Sequence, residues 1–302
     1  EEALELRSAG IDLPILVLNY FAPESTPLFI QERLTATIFS FQQLEALAPF
    51  IDAGKLSVHV KVDTGMSRLG VKPDEVERLI RQIREKRGIQ IEGLYTHFAT
   101  ADEPDPAFAR KQYDRFVGLR THFHQSIRYF HVSNSAAAQY LPLNLFDFIR
   151  LGISSYGLDA RNEKRPAPLL PVLSWETVLS HVKIVQEGES VSYGRTFIAD
   201  RTMTIGTVPV GYADGYNRLL SNRGAALVKG RRCPIVGRVC MDQFMIDLSH
   251  VPSPYAGDRV MLIGFDGSEE ISCEEIARHL STINYEVTCQ ISKRVPRVYT
   301  AE

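Results

Sequence analysis

A charged and glycine-bearing segment follows a β-branched run near residue 60. The run SVHV (residues 57 to 60) is typical of a strand, and the next ten residues read KVDTGMSRLG. The predicted strand therefore ends where Lys61, Asp63 and Arg68 begin a loop. Because α/β proteins place binding and catalytic groups on the loops after their strands, this segment is the first candidate for a functional site.

Two later segments predict a place for a phosphate group. Residues 133 to 136 (SNSA) resemble the N-terminal cap of a helix, and Arg150 is followed by Gly152 and Ile153 in RLGI. Either segment alone is explained as structure, by a helix cap or by a packing glycine. Together, free backbone amides at Ser135, Gly152 and Ile153, late in a barrel, match the phosphate-binding place of (β/α)8 proteins. We therefore expect a phosphorylated cofactor there.

Two side chains are expected beside that cofactor. Arg150 precedes the phosphate loop and could reach the cofactor ring, and His97 ends the predicted strand in YTHF (residues 95 to 98). We expect His97 to hydrogen-bond to Arg150. For His97 taken alone, a core histidine with satisfied hydrogen bonds is the alternative.

Apolar, β-branched runs alternate with amphipathic stretches through the first half of the chain. Such alternation predicts βα units and a parallel sheet. Residues 73 to 87 predict a covering helix, with Val76, Leu79, Ile80 and Ile83 on one face. The runs expected to form strands are 15–18, 37–39, 58–62, 91–95, 129–132 and 146–149.

These runs make about six βα units, whereas a closed barrel needs eight. At roughly 30 residues a unit, about 60 residues are missing from a complete barrel, and we expect them before Glu1. The predicted fold class is therefore an α/β barrel, TIM-like and incomplete, followed by a mostly antiparallel β domain.

The texture of the sequence changes near the prolines at 166, 168 and 171. Short alternating runs with glycine-rich turns follow them and predict the antiparallel β domain. One helix, Cys273 to Leu280, is expected within it after an N-terminal cap at Ser272. We therefore predict a cofactor-binding barrel domain over residues 1–168 and a β domain over residues 169–302.

Composition excludes several classes of protein. The chain has 302 residues, 44% hydrophobic and 23% charged, which is typical of a globular protein of one or two domains. A net charge of -2 gives no support for nucleic-acid binding, and no apolar stretch is long enough to span a membrane. The four cysteines show neither CxxC pairing nor zinc-ligand spacing. We therefore predict no metal site and a reducing compartment, the cytoplasm.

A series of motifs resembles the bacterial alanine racemases, a family with a barrel domain, a β domain and pyridoxal 5'-phosphate as cofactor. Any one motif is weak, but the series covers nearly the whole chain. The motifs are HVKVDTGMSRLG (59 to 70), GLYTHFATADE (93 to 103), RLGISSYGL (150 to 158), VSYG (191 to 194), PVGYADG (209 to 215), VGRVCMDQ (236 to 243) and INYEV (283 to 287). The resemblance implies interconversion of L-alanine and D-alanine through a pyridoxal phosphate imine, with a lysine and a tyrosine as the two bases.

The resemblance implies roles for residues that would meet the substrate. Tyr193 in VSYG corresponds to the tyrosine that moves the α-proton on one face, in the partner subunit's site. Arg68 and Met241 correspond to contacts with the substrate carboxylate, the first by its side chain and the second by its backbone amide, and Tyr212 lines the site. A complete site then needs two chains arranged head to tail, so the resemblance implies a homodimer with shared active sites.

The implied cofactor contacts come from both domains. Arg150 corresponds to an arginine that faces the pyridine nitrogen, with His97 beside it. Lys61 corresponds to a lysine that many relatives carry as a carbamate, which helps to position Arg68. The phosphate cradle is implied at Ser135, Gly152, Ile153 and Tyr285.

The implied residue types suit racemisation. An arginine opposite the ring nitrogen does not give up its proton easily, so the ring stays neutral and the carbanion less delocalised. This arrangement at Arg150 disfavours decarboxylation and transamination. Because a phenol has an unperturbed pKa of about 10, Tyr193 needs a cationic neighbour to lower its pKa, and the pair of His97 and Arg150 is the nearest candidate.

One expected element is absent from the sequence. In the family, the second base is the lysine that carries the cofactor, in a segment like Lys-Ala-Asn-Ala-Tyr-Gly, and no such segment occurs in these residues. We therefore predict that this chain by itself does not racemise alanine. An incomplete record of an ordinary enzyme, or a natural relative without the lysine, would each explain the sequence.

Other functions of the same fold remain open at this point. A racemase for serine or of broad specificity would share the motifs, whereas a decarboxylase of the same plan would carry a different cysteine motif in place of CMDQ. A non-catalytic protein that only carries pyridoxal phosphate would lack the β domain. The family's product, D-alanine, feeds peptidoglycan assembly, so the resemblance suggests a bacterial cytoplasmic enzyme of cell-wall synthesis.

Overall fold

Two compact units divide the chain, residues 1–152 and residues 153–302. The structure is a computed structural model, and it describes residues 1–51, 54–143, 146–161 and 169–300. The domain boundary predicted between 168 and 169 borders residues 162–168, which lie outside the described residues, so that boundary stays a prediction. No helix among the described residues is long and apolar enough to cross a membrane.

The first unit alternates helices with parallel strands, as the sequence predicts. Its five strands pair in chain order, β1 to β5, and every pairing is parallel. Its elements are α1 Glu2–Ser8, β1 Ile15–Leu16, α2 Thr26–Gln31, β2 Leu34–Ile38, α3 Phe41–Leu47, β3 Leu56–Lys61, α4 Val76–Glu85, β4 Ile89–Tyr95, α5 Ala107–Phe123, β5 Tyr129–His131 and α6 Ser135–Tyr140.

The predicted covering helix is confirmed, with a tighter first turn. Residues Pro73–Glu75 form a 3-10 turn and α4 continues to Glu85. Its four predicted apolar residues are all buried. Proline suits the first turn because its missing N–H has no partner there in any case. Strand β2 is buried along its whole length, which is typical of a parallel strand covered on both faces.

The sixth predicted strand is wrong. Residues 146–149 form no strand, and Phe146 and Arg150 make only isolated bridges, to His131 and Asn134. Phe146 has a positive φ of 59°, which takes the backbone out of the extended region that a strand requires. The described part of the first unit therefore contains five parallel strands, and the count of about six βα units is not confirmed.

The second unit is built mainly from antiparallel strands, as predicted. One sheet has the order β13-β10-β7, another has the order β12-β11-β14-β15 with β6 paired to β14, and β8 pairs with β9. The strands are β6 Trp175–Val178, β7 His181–Val185, β8 Ser190–Val191, β9 Phe197–Ile198, β10 Met203–Val208, β11 Ala225–Val228, β12 Arg231–Pro234, β13 Phe244–Asp247, β14 Arg259–Asp266 and β15 Glu269–Ile271.

Two helices close the second unit, α7 Cys273–Leu280 and α8 Asn284–Gln290. The sequence predicts the bounds of α7 and its cap correctly, since the Ser272 hydroxyl accepts a hydrogen bond from the Glu275 amide at 3.1 Å. Such a cap satisfies one of the N–H groups that the first helical turn leaves without a partner.

Candidate active site

Arg150 is the centre of a polar cluster in the first unit. Its NH1 group donates to Nδ1 of His131 at 2.6 Å, and its NH2 group donates to the backbone oxygens of Thr96 at 2.8 Å and Val132 at 2.9 Å. The predicted contact with His97 is present, from NH2 to Nδ1 at 3.4 Å. Burial lowers the pKa of Arg150 to about 10, so the guanidinium stays charged at neutral pH.

A second histidine extends this cluster. His131 Nε2 lies 2.9 Å from Nδ1 of His59, and both side chains are buried. Because Arg150 can only donate, Nδ1 of His131 accepts, and Nε2 of His131 carries the proton and donates to His59. Burial and then the charge of Arg150 lower the pKa of both rings, that of His59 to about 4. Both histidines are therefore neutral at pH 7.

Lys61 ends β3 with its amine inside the same unit. Its side chain is buried, and Nζ lies 4.6 Å from the ring centre of Tyr95. Burial, followed by the charges of Arg150 and Arg68, lowers the pKa of Lys61 to about 7. Asp63 opposes this shift but does not overcome it. The lowered pKa makes the neutral, nucleophilic form of the Lys61 amine accessible near neutral pH.

The loop that carries Arg68 is fixed at its start by Asp63. One carboxylate oxygen accepts the backbone amides of Gly65 at 3.0 Å and Ser67 at 2.9 Å, and the other binds the Lys72 ammonium at 2.5 Å. Arg68 itself is exposed to solvent. The loop therefore exposes the Arg68 guanidinium to solvent while Asp63 holds the backbone before it. Buried Lys61 lies a few residues earlier in the chain.

The structure agrees with the predicted phosphate site at the helix cap and differs from it at Gly152. The helix cap is confirmed, because the Asn134 side chain accepts the Ala137 amide at 2.9 Å at the start of α6. The Gly152 amide, however, donates to the Ser135 hydroxyl at 2.9 Å, so the prediction of a free amide at Gly152 is wrong. The Ser135 hydroxyl therefore satisfies the Gly152 amide within the first unit. Ile153, whose side chain is buried, begins the second unit.

Tyr193 lies on a short turn of the second unit. It begins the 3-10 turn Tyr193–Arg195, after Ser192 with a φ of 68°. The Ser192 hydroxyl donates to the backbone oxygen of Arg238 at 2.7 Å, which fixes this turn to the segment before Met241. The Tyr193 side chain is 72% exposed, so its phenol is available to another surface.

A second turn places Tyr212 beside the same segment. The amides of Tyr212 and Ala213 donate to the backbone oxygens of Cys240 at 3.1 Å and Met241 at 3.0 Å. A Cβ at Gly211 would lie 2.2 Å from the Met241 oxygen, so only glycine allows this approach. The second unit therefore brings Tyr193, Tyr212 and Met241 to one segment, residues 238–241.

Arg294 joins the Tyr212 turn to the segment after Met241 and was not expected from the sequence. It lies 3.4 Å from the Asp214 carboxylate in the Tyr212 turn and donates to Asp242 at 2.9 Å. Tyr285, the predicted phosphate ligand, is on α8 and is 37% exposed. The structure places Tyr285 at the surface of the second unit.

Sequence reasoning missed His131 and His59 as members of the Arg150 cluster. One signal was present, because His59 within β3 and His131 at the last position of β5 are polar residues next to apolar ones. Strand β4 lies between β3 and β5, and Gly93 of β4, beside His59, has no side chain, which leaves room for the His59 ring. The order of the strands in the sheet was needed to predict the contact between His59 and His131.

Comparison with known proteins agrees with this arrangement. The chain matches the family described as "Alanine racemase, N-terminal domain" over residues 1–160 and "Alanine racemase, C-terminal domain" over residues 172–299. The alanine racemase of Desulfovibrio desulfuricans is 43% identical over 307 residues, which cover 99% of this chain and 81% of that protein. The alanine racemase of Geobacillus stearothermophilus is 45% identical over 305 residues, covering 99% and 78%.

Solved structures give the same result. The crystal structure of alanine racemase from E. faecalis has a TM-score of 0.94 at 42% identity, covering 99% of this chain and 81% of that one. The structure from Bacillus anthracis, with bound L-Ala-P, has a TM-score of 0.91 at 37% identity, covering 99% and 79%. With both domain families matched in order and this identity maintained along the chain, the protein belongs to the alanine racemase family.

Proposed function

We propose that this protein interconverts L-alanine and D-alanine with pyridoxal 5'-phosphate as cofactor. The observation that carries the proposal is the environment of Arg150. Among the described residues, no carboxylate pairs with this arginine, and its partners are neutral histidines and backbone oxygens. A charged group held in this way remains a donor toward a ring nitrogen, which suits racemisation.

The residues of the first unit fit such a cofactor. Within the described part of the chain, Nε of Arg150 has no hydrogen-bond partner, so one N–H of the guanidinium is left to meet a ring nitrogen. The buried hydroxyl of Ser133 also has no hydrogen-bond partner among the described residues. Because a buried polar group without a partner costs free energy, the Ser133 hydroxyl favours a polar ligand.

When bound, pyridoxal phosphate makes the α-proton of an amino acid removable, because its ring takes up the carbanion charge. Arg150 would hold the ring nitrogen unprotonated, which limits that charge uptake. The neutral His131 supports Arg150 by accepting one of its N–H groups. Ser135, Gly152, Ile153 and Tyr285 are proposed to hold the phosphate.

The substrate is proposed to meet Arg68 of one chain and residues from the second unit of a partner chain. Arg68, on its constrained loop, would bind the carboxylate together with the backbone amide of Met241. Tyr212 would line the site, and Tyr193 would give or take the α-proton at its phenol oxygen. Because Tyr193, Tyr212 and Met241 are all exposed in this chain, a partner chain in a homodimer is proposed to cover them.

Lys61 is proposed to react with carbon dioxide. A carbamate forms only from a neutral amine, and the lowered pKa of Lys61 supplies one at neutral pH. The product would carry a negative charge beside Arg150 and Arg68, whose positive charges would stabilise it. Carbamylation would then convert a costly buried cation into an anion that positions Arg68.

The lysine that would carry the cofactor has no counterpart in these 302 residues in its expected Ala-Asn-Ala-Tyr-Gly-like context. We propose that these residues alone bind the cofactor without running the two-base reaction. The test compares the 302-residue chain with the product of the complete gene. Racemisation only by the latter supports the proposal, and racemisation by the 302 residues alone contradicts it.

Racemisation is tested in the product of the complete gene, loaded with pyridoxal phosphate. D-Alanine formation from L-alanine, with one deuterium taken up from D2O at the α-carbon, is the expected result. L-Serine in place of L-alanine distinguishes a serine or broad-specificity racemase. A protein that binds the cofactor and racemises neither amino acid would contradict the proposal. A cytoplasmic role in supplying D-alanine for peptidoglycan completes the proposed function.

A further inference from the structure

A buried amide connects two of the loops that carry candidate site residues. Gln112 lies on α5 and is 0% exposed. Its Nε2 group donates to the backbone oxygen of His97 at 3.1 Å and lies 3.3 Å from the Thr64 hydroxyl, and its Oε1 atom accepts the Ala99 amide at 2.9 Å. One side chain thus holds the loop after β3 and the loop after β4.

The direction of every hydrogen bond in this network is fixed. The His97 oxygen can only accept and the Ala99 amide can only donate, so the orientation of the Gln112 amide follows. Thr96 gives its one hydroxyl proton to the Val62 oxygen at 2.9 Å, and it therefore accepts from Thr64 at 2.8 Å. Protons then run in order from Gln112 to Thr64, to Thr96 and to the backbone of Val62.

The same network reaches the groups proposed to act on the ligand. Thr96 also offers its backbone oxygen to Arg150, and His97 holds its own ring beside that guanidinium. Thr64 precedes Arg68 in the loop after β3, and its backbone oxygen accepts from Arg115 of α5 at 2.7 Å. Displacing the amide of Gln112 would therefore disturb both sides of the site at once.

We propose that Gln112 is a positioning residue, which sets the Arg68 loop and the His97 loop at their working separation. Its hydrogen bonds go to protein groups of the two loops. The expected effect of Gln112 on alanine turnover rests on the proposed function. Its effect on the position of the two loops does not. An amide is required because the site needs two donors and one acceptor in fixed order, which a methionine of similar volume cannot supply.

The chain offers a matched control in Gln43, on α3. Gln43 is also buried, accepts the Phe39 amide at 2.9 Å and donates to the Thr37 oxygen at 3.0 Å, at the end of β2. That loop carries no residue assigned to the site. Gln112→Met and Gln43→Met therefore make the same chemical change at equivalent places in the sheet.

Hydrogen exchange, read by mass spectrometry in the protein from the complete gene, tests the proposal. The reporter peptide covers residues 61–72, where the amides of Asp63 and Val71 bond to backbone oxygens that no substitution touches. Gln112→Met should speed exchange there by about tenfold, the factor expected for losing one or two buried hydrogen bonds. Gln43→Met should leave it unchanged. Gln112→Glu, which keeps the size but has at most one donor in place of two, should also speed exchange.

Equal exchange in the two methionine variants, or a Gln112→Glu protein that matches the wild type, would overturn the proposal. Steady-state kinetics with alanine give a second readout, in which Gln112→Met raises KM and lowers kcat while Gln43→Met changes neither. Wild-type protein without racemase activity would contradict the proposed function and leave the exchange result to decide the role of Gln112.

Discussion

The buried amine of Lys61 makes the stability of this protein depend on pH in a defined direction. Its pKa falls from 10.5 to about 7 because burial and the charges of Arg150 and Arg68 disfavour the ammonium. Between about pH 7 and pH 10.5, Lys61 is protonated in the unfolded chain and mostly neutral in the folded chain. Stability therefore rises with pH across this window, and the penalty from burying Lys61 is largest at and below pH 7.

The size of the penalty follows from the shift. Each pKa unit corresponds to about 1.36 kcal/mol, so the amine costs the folded state about 4 kcal/mol near pH 7 and about 2 kcal/mol at pH 9. Lys61→Met removes this cost while retaining most of the buried volume. The variant should therefore be more stable than the wild type at pH 7, and its advantage should shrink by about 2 kcal/mol between pH 7 and pH 9.

Urea denaturation at the two pH values, in buffers free of carbon dioxide, measures this difference. Lys183→Met is the control, because Lys183 is exposed on β7 and the same substitution there changes no buried charge. Added bicarbonate should stabilise the wild type and leave Lys61→Met unaffected, since only the former can form a carbamate. An advantage of Lys61→Met that stays constant from pH 7 to pH 9 would refute the reasoning.

Further predictions concern the site residues. Tyr193→Phe should lower racemisation by about 10²-fold or more, because the phenol oxygen is lost as acid and base, and stopped assays in both directions measure this. His131→Leu should lower kcat more than His131→Asn, whose side-chain oxygen still accepts from Arg150; equal loss would contradict the role of Nδ1. Gly211→Ala should destabilise the protein by about 2 kcal/mol or more in urea melts, because its Cβ would meet backbone oxygens. The control Gly118→Ala, in α5 with open space around the added Cβ, should not destabilise it.

Local patterns predict most elements of the fold. The apolar face of α4, the cap of α7 and the strands around Lys61 and Tyr95 follow from residue periodicity within a few positions. The failure at residues 146–149 has a local cause, because an apolar run gives no sign that Phe146 takes a positive φ. The spacing of apolar residues predicts which face of an element is buried, but it does not predict where the backbone turns.

The sequence predicts several residues of the candidate site, but it does not predict most of the contacts between them. His97 stands out by its position after a strand and Arg150 by its position before the RLGI loop, and their contact is present in the structure. The stronger contact, with His131, depends on which strand lies beside which, and sequence spacing does not give this. The bond from Gly152 to Ser135 was missed for a similar reason, since it joins a loop residue to the first residue of α6, 17 positions earlier in the chain.

The most direct test of the proposed function follows the α-proton of alanine in the protein from the complete gene, loaded with pyridoxal phosphate in D2O. NMR of the alanine α-hydrogen, with chiral analysis of the product, measures exchange and inversion together. We predict that L-alanine gives D-alanine carrying deuterium at the α-carbon, and that Tyr193→Phe lowers this conversion sharply. Cofactor binding with no conversion of L-alanine to D-alanine would contradict the account.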